Sequence, residues 1–160
     1  MVVYLADDLS AADLSLYQPN RLPAPHLQHL ANQGLIFDHA FVASPSCAPS
    51  RAALMTGLMP AKNGAELNHT YPHSGVPRLS NQLRELGYEV LVFGKVIHGK
   101  YRDTAAYQFD HFDPRPVNLP AHLETYFKQH QPQKPVCLLI GDRRPHVPWT
   151  KELLFHPDSL

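Results

Sequence analysis

Three short runs of unbroken apolar residues, each halted by a charged or glycine-bearing loop, restrict this chain to few folds. They are Met1–Ala6 before Asp7-Asp8, Tyr88–Phe93 (around Glu89) before Gly94-Lys95, and Val136–Ile140 before Gly141-Asp142. Such runs are strand-length, and their continuous apolar character suits strands covered on both faces, as in a parallel sheet. A shorter candidate strand, Leu35-Ile36-Phe37 through Phe41-Val42, leads into the loop before Cys47. Helical spacing lies between these runs. His26–Gln33 places Leu27, Leu30 and Ala31 on one face and ends at Gly34. Leu79–Leu86 repeats the pattern with Leu79, Leu83 and Leu86 and ends at Gly87, and Leu119–His130 forms a third helical stretch. A helix closed by glycine and followed by an apolar strand is the rhythm of an α/β fold with a mainly parallel sheet flanked by helices.

Composition narrows the function classes. At 160 residues, with 44% hydrophobic and 18% charged side chains, the chain fits one globular domain. Fourteen basic and fourteen acidic residues leave no net charge, so nothing points to nucleic acid or an anionic surface. No apolar stretch approaches the ~20 residues of a membrane span. Met1 runs into a strand-like segment without a basic leader, and the compartment stays open. The two cysteines give no disulfide framework. Cys137 lies in an apolar run and reads as a small buried hydrophobe, whereas Cys47 lies in a Ser/Pro loop.

Open α/β sheets bind ligands beyond the carboxyl ends of their strands. Asp7, Asp8, Lys95 and His146 all fall at or just past such ends. The sharpest local signal is Ser46-Cys47-Ala48-Pro49-Ser50-Arg51 running on to Leu54-Met55-Thr56-Gly57. Its pattern predicts a helix from Pro49 or Ser50 to Thr56, with Cys47 at the N-terminus, where free N–H groups favour an anion. Arg51, one turn on, adds a permanent planar cation. The plain alternative is a loop cysteine beside a surface arginine, but a chance Cys-x-Pro-Ser-Arg has odds on the order of 10⁻⁴ to 10⁻³. Taken alone, Asp7-Asp8 reads as an Asx turn or cap, and Lys95 as a solvated lysine. Any one of the eleven histidines reads first as surface or packing.

The cysteine block with its downstream Thr-Gly resembles the signature of the formylglycine-dependent sulfatases, in which the cysteine is oxidised to formylglycine. The resemblance extends to Ala6-Asp7-Asp8-Leu9, to Gly94-Lys95-Val96-Ile97-His98 and to Arg144-Pro145-His146-Val147-Pro148-Trp149. The Lys-x-x-His spacing and the Pro-His-x-Pro block most resemble the iduronate-2-sulfatase and choline-sulfatase-like branch. The resemblance implies an alkaline-phosphatase-like α/β fold and a divalent metal, Ca2+ first, held by Asp7, Asp8 and the converted Cys47. It implies a sulfate ester as substrate, of a sugar or a related alcohol, and a formylglycine-generating maturation enzyme as partner. One hydroxyl of the aldehyde hydrate would attack sulfur, and the other would lose its proton and expel sulfate. A plain serine or thiol lacks that second hydroxyl. By the same resemblance Arg51 would hold the hydrate and Lys95 would bind a sulfate oxygen. His98 would assist proton movement, and His146 would contact sulfate or protonate the leaving alcohol.

The pattern departs from the family in one respect. Relatives supply a second pair of metal ligands from a later strand, and nothing after His146 can serve as that pair here. The expectation is that residues 1–160 are the N-terminal part of a catalytic domain, with an incomplete sheet and little activity alone. Substrate choice is expected in loops such as Asn63–Gly75 and Lys100–Pro120. Two other readings remain: a phosphonate or phosphate monoester hydrolase of the same superfamily, and a non-catalytic domain that binds metal or a partner.

Overall fold

The innermost strand of the fold is β2 (Glu89–Gly94), in which Val90, Leu91, Val92 and Phe93 are all buried. The computed structural model describes residues 1–98, 105–116 and 118–146. Within them, β1 (Val2–Asp7), β4 (Val136–Pro145), β2 and β3 (His111–Asp113) form a four-stranded sheet in the order β1-β4-β2-β3. β2 runs parallel to both neighbours, pairing Val90 with Cys137, Val92 with Leu139 and Leu91 with His111. The helices are α1 (Pro25–Ala31), α2 (Cys47–Thr56), α3 (Pro60–Asn63), α4 (Leu79–Glu85) and α5 (Leu119–Gln129). The architecture is α/β, a parallel sheet flanked by helices.

Contacts divide the chain into two units, Met1–Asp7 with Val42–Arg143, and Asp8–Phe41 with the segment from Arg144 onward. The first unit holds the core. Met55 of α2 and Leu83 of α4 pack with Val90 and Val92 of β2, Cys137 and Leu139 of β4, and Val96, Ile97 and Tyr107. Cys137 is fully buried as expected, and burial pushes its thiol pKa up, which leaves it unreactive. In the second unit, Ser10 caps a single 3-10 turn (Ala11–Asp13) with a reciprocal capping box, and α1 begins with Pro25 at its first position.

Several expectations need correction. β1 is apolar in sequence but lies at the sheet's edge, so Val2 is 67% exposed rather than covered on both faces. The candidate strand between Leu35 and Val42 is absent, with Asp38-His39 forming a turn instead. No described strand pairs with that segment, and Phe41 stands 88% exposed. Apolar content without a ladder partner does not make a strand. Part of the expected 100–120 loop is secondary structure: His111–Asp113 is β3, and Phe109 and Phe112 pack against the core. Residues 100–104 and 117 of that loop lie outside the described residues, as do Gly99 and 147–160.

The carboxyl end of β2 meets β4 at paired glycines, Gly94 and Gly141, and β4 runs on to Pro145 rather than stopping at Ile140. Gly94 has φ +79°, a region L side chains rarely adopt, and a Cβ there would sit 2.1 Å from the Gly141 carbonyl oxygen. A Cβ on Gly141 would meet the Lys95 carbonyl at the same separation, 2.1 Å. Both partners are backbone and cannot swing aside. Gly94→Ala is therefore expected to destabilise the fold by roughly 2–5 kcal/mol, combining overpacking with left-handed strain. Urea denaturation should show the midpoint falling at unchanged slope.

Candidate active site

α2 carries the cysteine, and its sequence explains its placement. Ala48, Pro49, Arg51, Ala52 and Met55 form the buried stripe, with two alanines permitting close approach. Gly57 ends the helix in the left-handed conformation, its N–H donating to Ala53 O at 2.8 Å. The helix begins at Cys47, two or three residues earlier than the sequence pattern predicts, because Pro49 falls in the first turn, where a missing N–H costs nothing. Cys47 is thus the first helical residue, at the end where N–H groups are unpaired.

Arg51 lies on the buried stripe at 7% exposure, and a charge there must be matched. Its guanidinium donates to Asp7 Oδ1 at 2.9 Å and to the carbonyls of Lys95 and Val96. Asp7, the last residue of β1, is 3% exposed. Its other oxygen, Oδ2, accepts from the Lys95 ammonium at 2.5 Å. Lys95 follows β2 directly, and its Nζ also lies 3.5 Å from Cys47 Sγ. The Cys47 thiol in turn lies 3.7 Å from Asp7 Oδ1. Residues from β1, α2 and the end of β2 therefore meet around one sulfur atom.

Burial pushes the Asp7 carboxyl up, but hydrogen bonds from Lys95 and Arg51, and their charges, outweigh it and hold the pKa below 3.8. A carboxyl lowered in the fold stabilises it above the unfolded pKa, and that contribution is lost as pH falls through the folded one. In chelator-treated chain, acid should erode stability progressively below pH 3.8, and Asp7→Asn should flatten that limb. Circular dichroism against pH checks this; parallel acid limbs in the two proteins would contradict it.

His98 sits at the rim of this cluster. Its imidazole is held below its ordinary pKa by burial first, then by the charges of Lys95, His69 and Arg51, with Asp7 opposing. This environment favours the neutral imidazole. Its Nε2 lies 2.7 Å from His69 Nδ1. In the second unit, Asp8 adopts a left-handed φ of +63°, and its Oδ2 lies 3.6 Å from His146 Nε2. The seven candidate residues thus fall into two groups: Asp7, Cys47, Arg51, Lys95 and His98 in the first unit, Asp8 and His146 in the second.

Sequence reasoning missed three residues. Asn63, the first residue of the expected substrate loop, is fully buried; its amide donates to Thr56 Oγ1 at 3.2 Å and Leu58 O at 3.0 Å, and its Oδ1 accepts from Ala65 N–H at 2.8 Å. It ties the end of α2 to α3, and the Asn63-Gly64 turn dipeptide was its only signal. Asn68 Oδ1 accepts from Ala48 N–H at 3.5 Å, next to Cys47. His69, read from sequence as surface or packing, is the partner of His98.

The chain is similar to several known proteins. The family model described as Sulfatase matches residues 1–134. An ulvan-active sulfatase of Formosa agariphila is 34% identical over 154 residues, covering 91% of this chain and 30% of the relative. N-acetylgalactosamine-6-sulfatase of Homo sapiens is 32% identical over 108 residues, covering 59% of this chain and 21% of the relative. A solved structure of an enzyme with its substrate D-glucosamine-2-N,6-O-disulfate superposes with a TM-score of 0.79 at 20% identity, over 94% of this chain and 35% of that one. The chain spans about a third or less of the length of these proteins.

Proposed function

The chain belongs to the sulfatase family, and on that premise we propose that Cys47 is converted to formylglycine and that the protein carrying this chain hydrolyses sulfate esters of sugars. One observation carries the reading: Cys47 opens a helix and has a buried carboxylate at 3.7 Å and an ammonium at 3.5 Å. A sulfate monoester is already an anion, so a nucleophile approaching it needs cations at hand. Lys95 is one, on the end of a strand whose backbone is locked. Arg51 is the other, but three of its N–H donors already go to Asp7 and two carbonyls. Its role on this reading is to hold Asp7 and the Lys95 backbone as well as to orient residue 47. His98, in an environment that favours the neutral imidazole, is suited to take a proton, and His146 to give one to the leaving alcohol.

A formylglycine hydrate supplies two hydroxyls on one carbon, one to attack sulfur and one whose deprotonation releases sulfate. The residues also fit a hard divalent cation, Ca2+ first. A thiol is a soft donor, mismatched to Asp7, whereas conversion replaces sulfur by oxygen and makes the set all-oxygen. Asp7, Asp8 and the converted residue 47 would hold the ion, which would neutralise sulfate charge and polarise its S–O bonds.

The relatives act, by name, on ulvan and on N-acetylgalactosamine 6-sulfate, and a structural neighbour on a sulfated glucosamine. A sulfated sugar is the substrate class they support. They do not single out the iduronate-2-sulfatase branch, for which the Lys95-x-x-His98 spacing and the Pro145–Pro148 block are the support. Residues 1–160 alone are expected to turn over little aryl sulfate. Mass spectrometry of the peptide spanning Cys47 tests the central claim. Conversion replaces a thiol and a hydrogen by an aldehyde oxygen, a loss of about 18 Da. Unmodified Cys47 in protein purified with its maturation enzyme would refute it. Faster turnover of phosphonate than of sulfate esters would shift the activity to the other hydrolase class.

A further inference from the structure

The turn Leu67–Thr70 reaches the site through two neighbouring residues. Thr70 closes the turn, its hydroxyl donating to Leu67 O at 2.5 Å and accepting from Leu67 N–H at 3.1 Å. Between these anchors, Asn68 accepts from Ala48 N–H on the first turn of α2, and His69 meets His98. The two imidazoles cross at 62° with centroids 4.6 Å apart. His69 has φ +66°, uncommon for a residue with a side chain. Backbone of this kind persists where surrounding contacts over-determine it, and here the contacts run to Ala48, next to Cys47, and to His98.

Two ring nitrogens 2.7 Å apart share one proton, so the neutral pair has two possible arrangements. The remaining nitrogen of His98, Nδ1, is buried and has no partner among the described residues. If His69 owns the shared proton, His98 Nδ1 must carry a hydrogen with no acceptor for it among the described residues. If His98 owns it, Nδ1 keeps a lone pair. A buried orphan N–H is the rarer defect, and an under-used acceptor the milder one. We propose that His69 is a positioning residue that holds His98 in its Nε2–H tautomer, leaving the Nδ1 lone pair as a proton acceptor for the site. Asn68 anchors the same turn to the helix that carries Cys47, so one turn registers the acceptor against the nucleophile-bearing helix. The use of that lone pair in catalysis rests on the sulfatase reading; the tautomer itself does not.

Nitrogen-15 NMR of histidine side chains, well above the imidazole titration range, reads the tautomer directly, with His98→Gln assigning the signals. In the wild-type protein His98 should show a protonated Nε2 and an unprotonated Nδ1. His69→Gly tolerates the left-handed backbone but removes the ring, and should return His98 to a tautomer mixture. His69→Asn, which tolerates the same backbone and offers an oxygen near the Nδ1 position, should restore most of the wild-type signal. In the mature enzyme His69→Gly should lower kcat about 10–100-fold at nearly unchanged KM, with recovery in His69→Asn. A wild-type His98 protonated at Nδ1, or an unaltered tautomer in His69→Gly, overturns the inference. Absence of sulfate-ester turnover alongside the expected tautomer would instead overturn the sulfatase reading alone.

Discussion

Cys47→Ala in the mature enzyme should lower sulfate-ester turnover by about 10⁴- to 10⁶-fold, the loss seen when a covalent nucleophile is removed. The alanine keeps the helix, since Cys47 contributes no buried apolar packing comparable to Met55, so the thermal midpoint should move little. Cys47→Ser separates nucleophilicity from the diol. A serine has one hydroxyl, enough to attack sulfur and expel the alcohol but not to release sulfate, so it should arrest after one turnover with a sulfate ester retained on residue 47. Multiple turnovers by the serine variant, measured as sulfate released per enzyme, would show that no second hydroxyl is needed. A mature enzyme in which alanine retains activity would remove Cys47 from the chemistry altogether.

Arg51→Met should destabilise the metal-free chain by about 3–5 kcal/mol, the cost of stripping one partner from a buried ion pair. Methionine fills similar volume and keeps the apolar stem, so packing is spared and the loss is electrostatic. What goes is the 2.9 Å bond to Asp7 and both carbonyl contacts beyond β2. For a chain of this size each kcal/mol lowers Tm by about 2–4 °C, so the shift should be roughly 6–20 °C. Lysine should not rescue, because one ammonium cannot serve a carboxylate and two carbonyls with fork geometry. A shift of under a degree would mean the pair adds nothing net to the fold.

How much of this was readable beforehand follows from where the information resides. β2 and β4 announce themselves because buried strands write an apolar run, and Lys95 could be named as the residue just past β2; Asp7 could be named because the apolar run of β1 stops there, although that strand lies at the edge. Cys47 and Arg51 were readable because four spaced residue types at a helix start are improbable by chance. The segment Leu35–Val42 was misread for the reverse reason. Its composition suits a strand, but pairing is decided by residues far off in sequence, and none of those described pairs with it. His69 escaped notice because its partner stands 29 positions away and histidines are common in this chain. Asn68 is similar, 20 positions from the N–H it caps. Contacts of that kind leave no local signature. Nor does the pairing of Asp8 with His146, which spans nearly the whole described chain.

The meeting of Gly94 with Gly141 has a consequence for anyone wishing to reshape the site around Lys95. Because two main chains touch there with no side chain between them, the reach of Lys95 is dictated by peptide geometry and leaves no adjustable spacer. Editing either glycine would displace the Lys95 ammonium along with the backbone it stands on. Changes to the site are better placed in the connecting segments, while the two glycines stay as a fixed ruler from which the ammonium is measured.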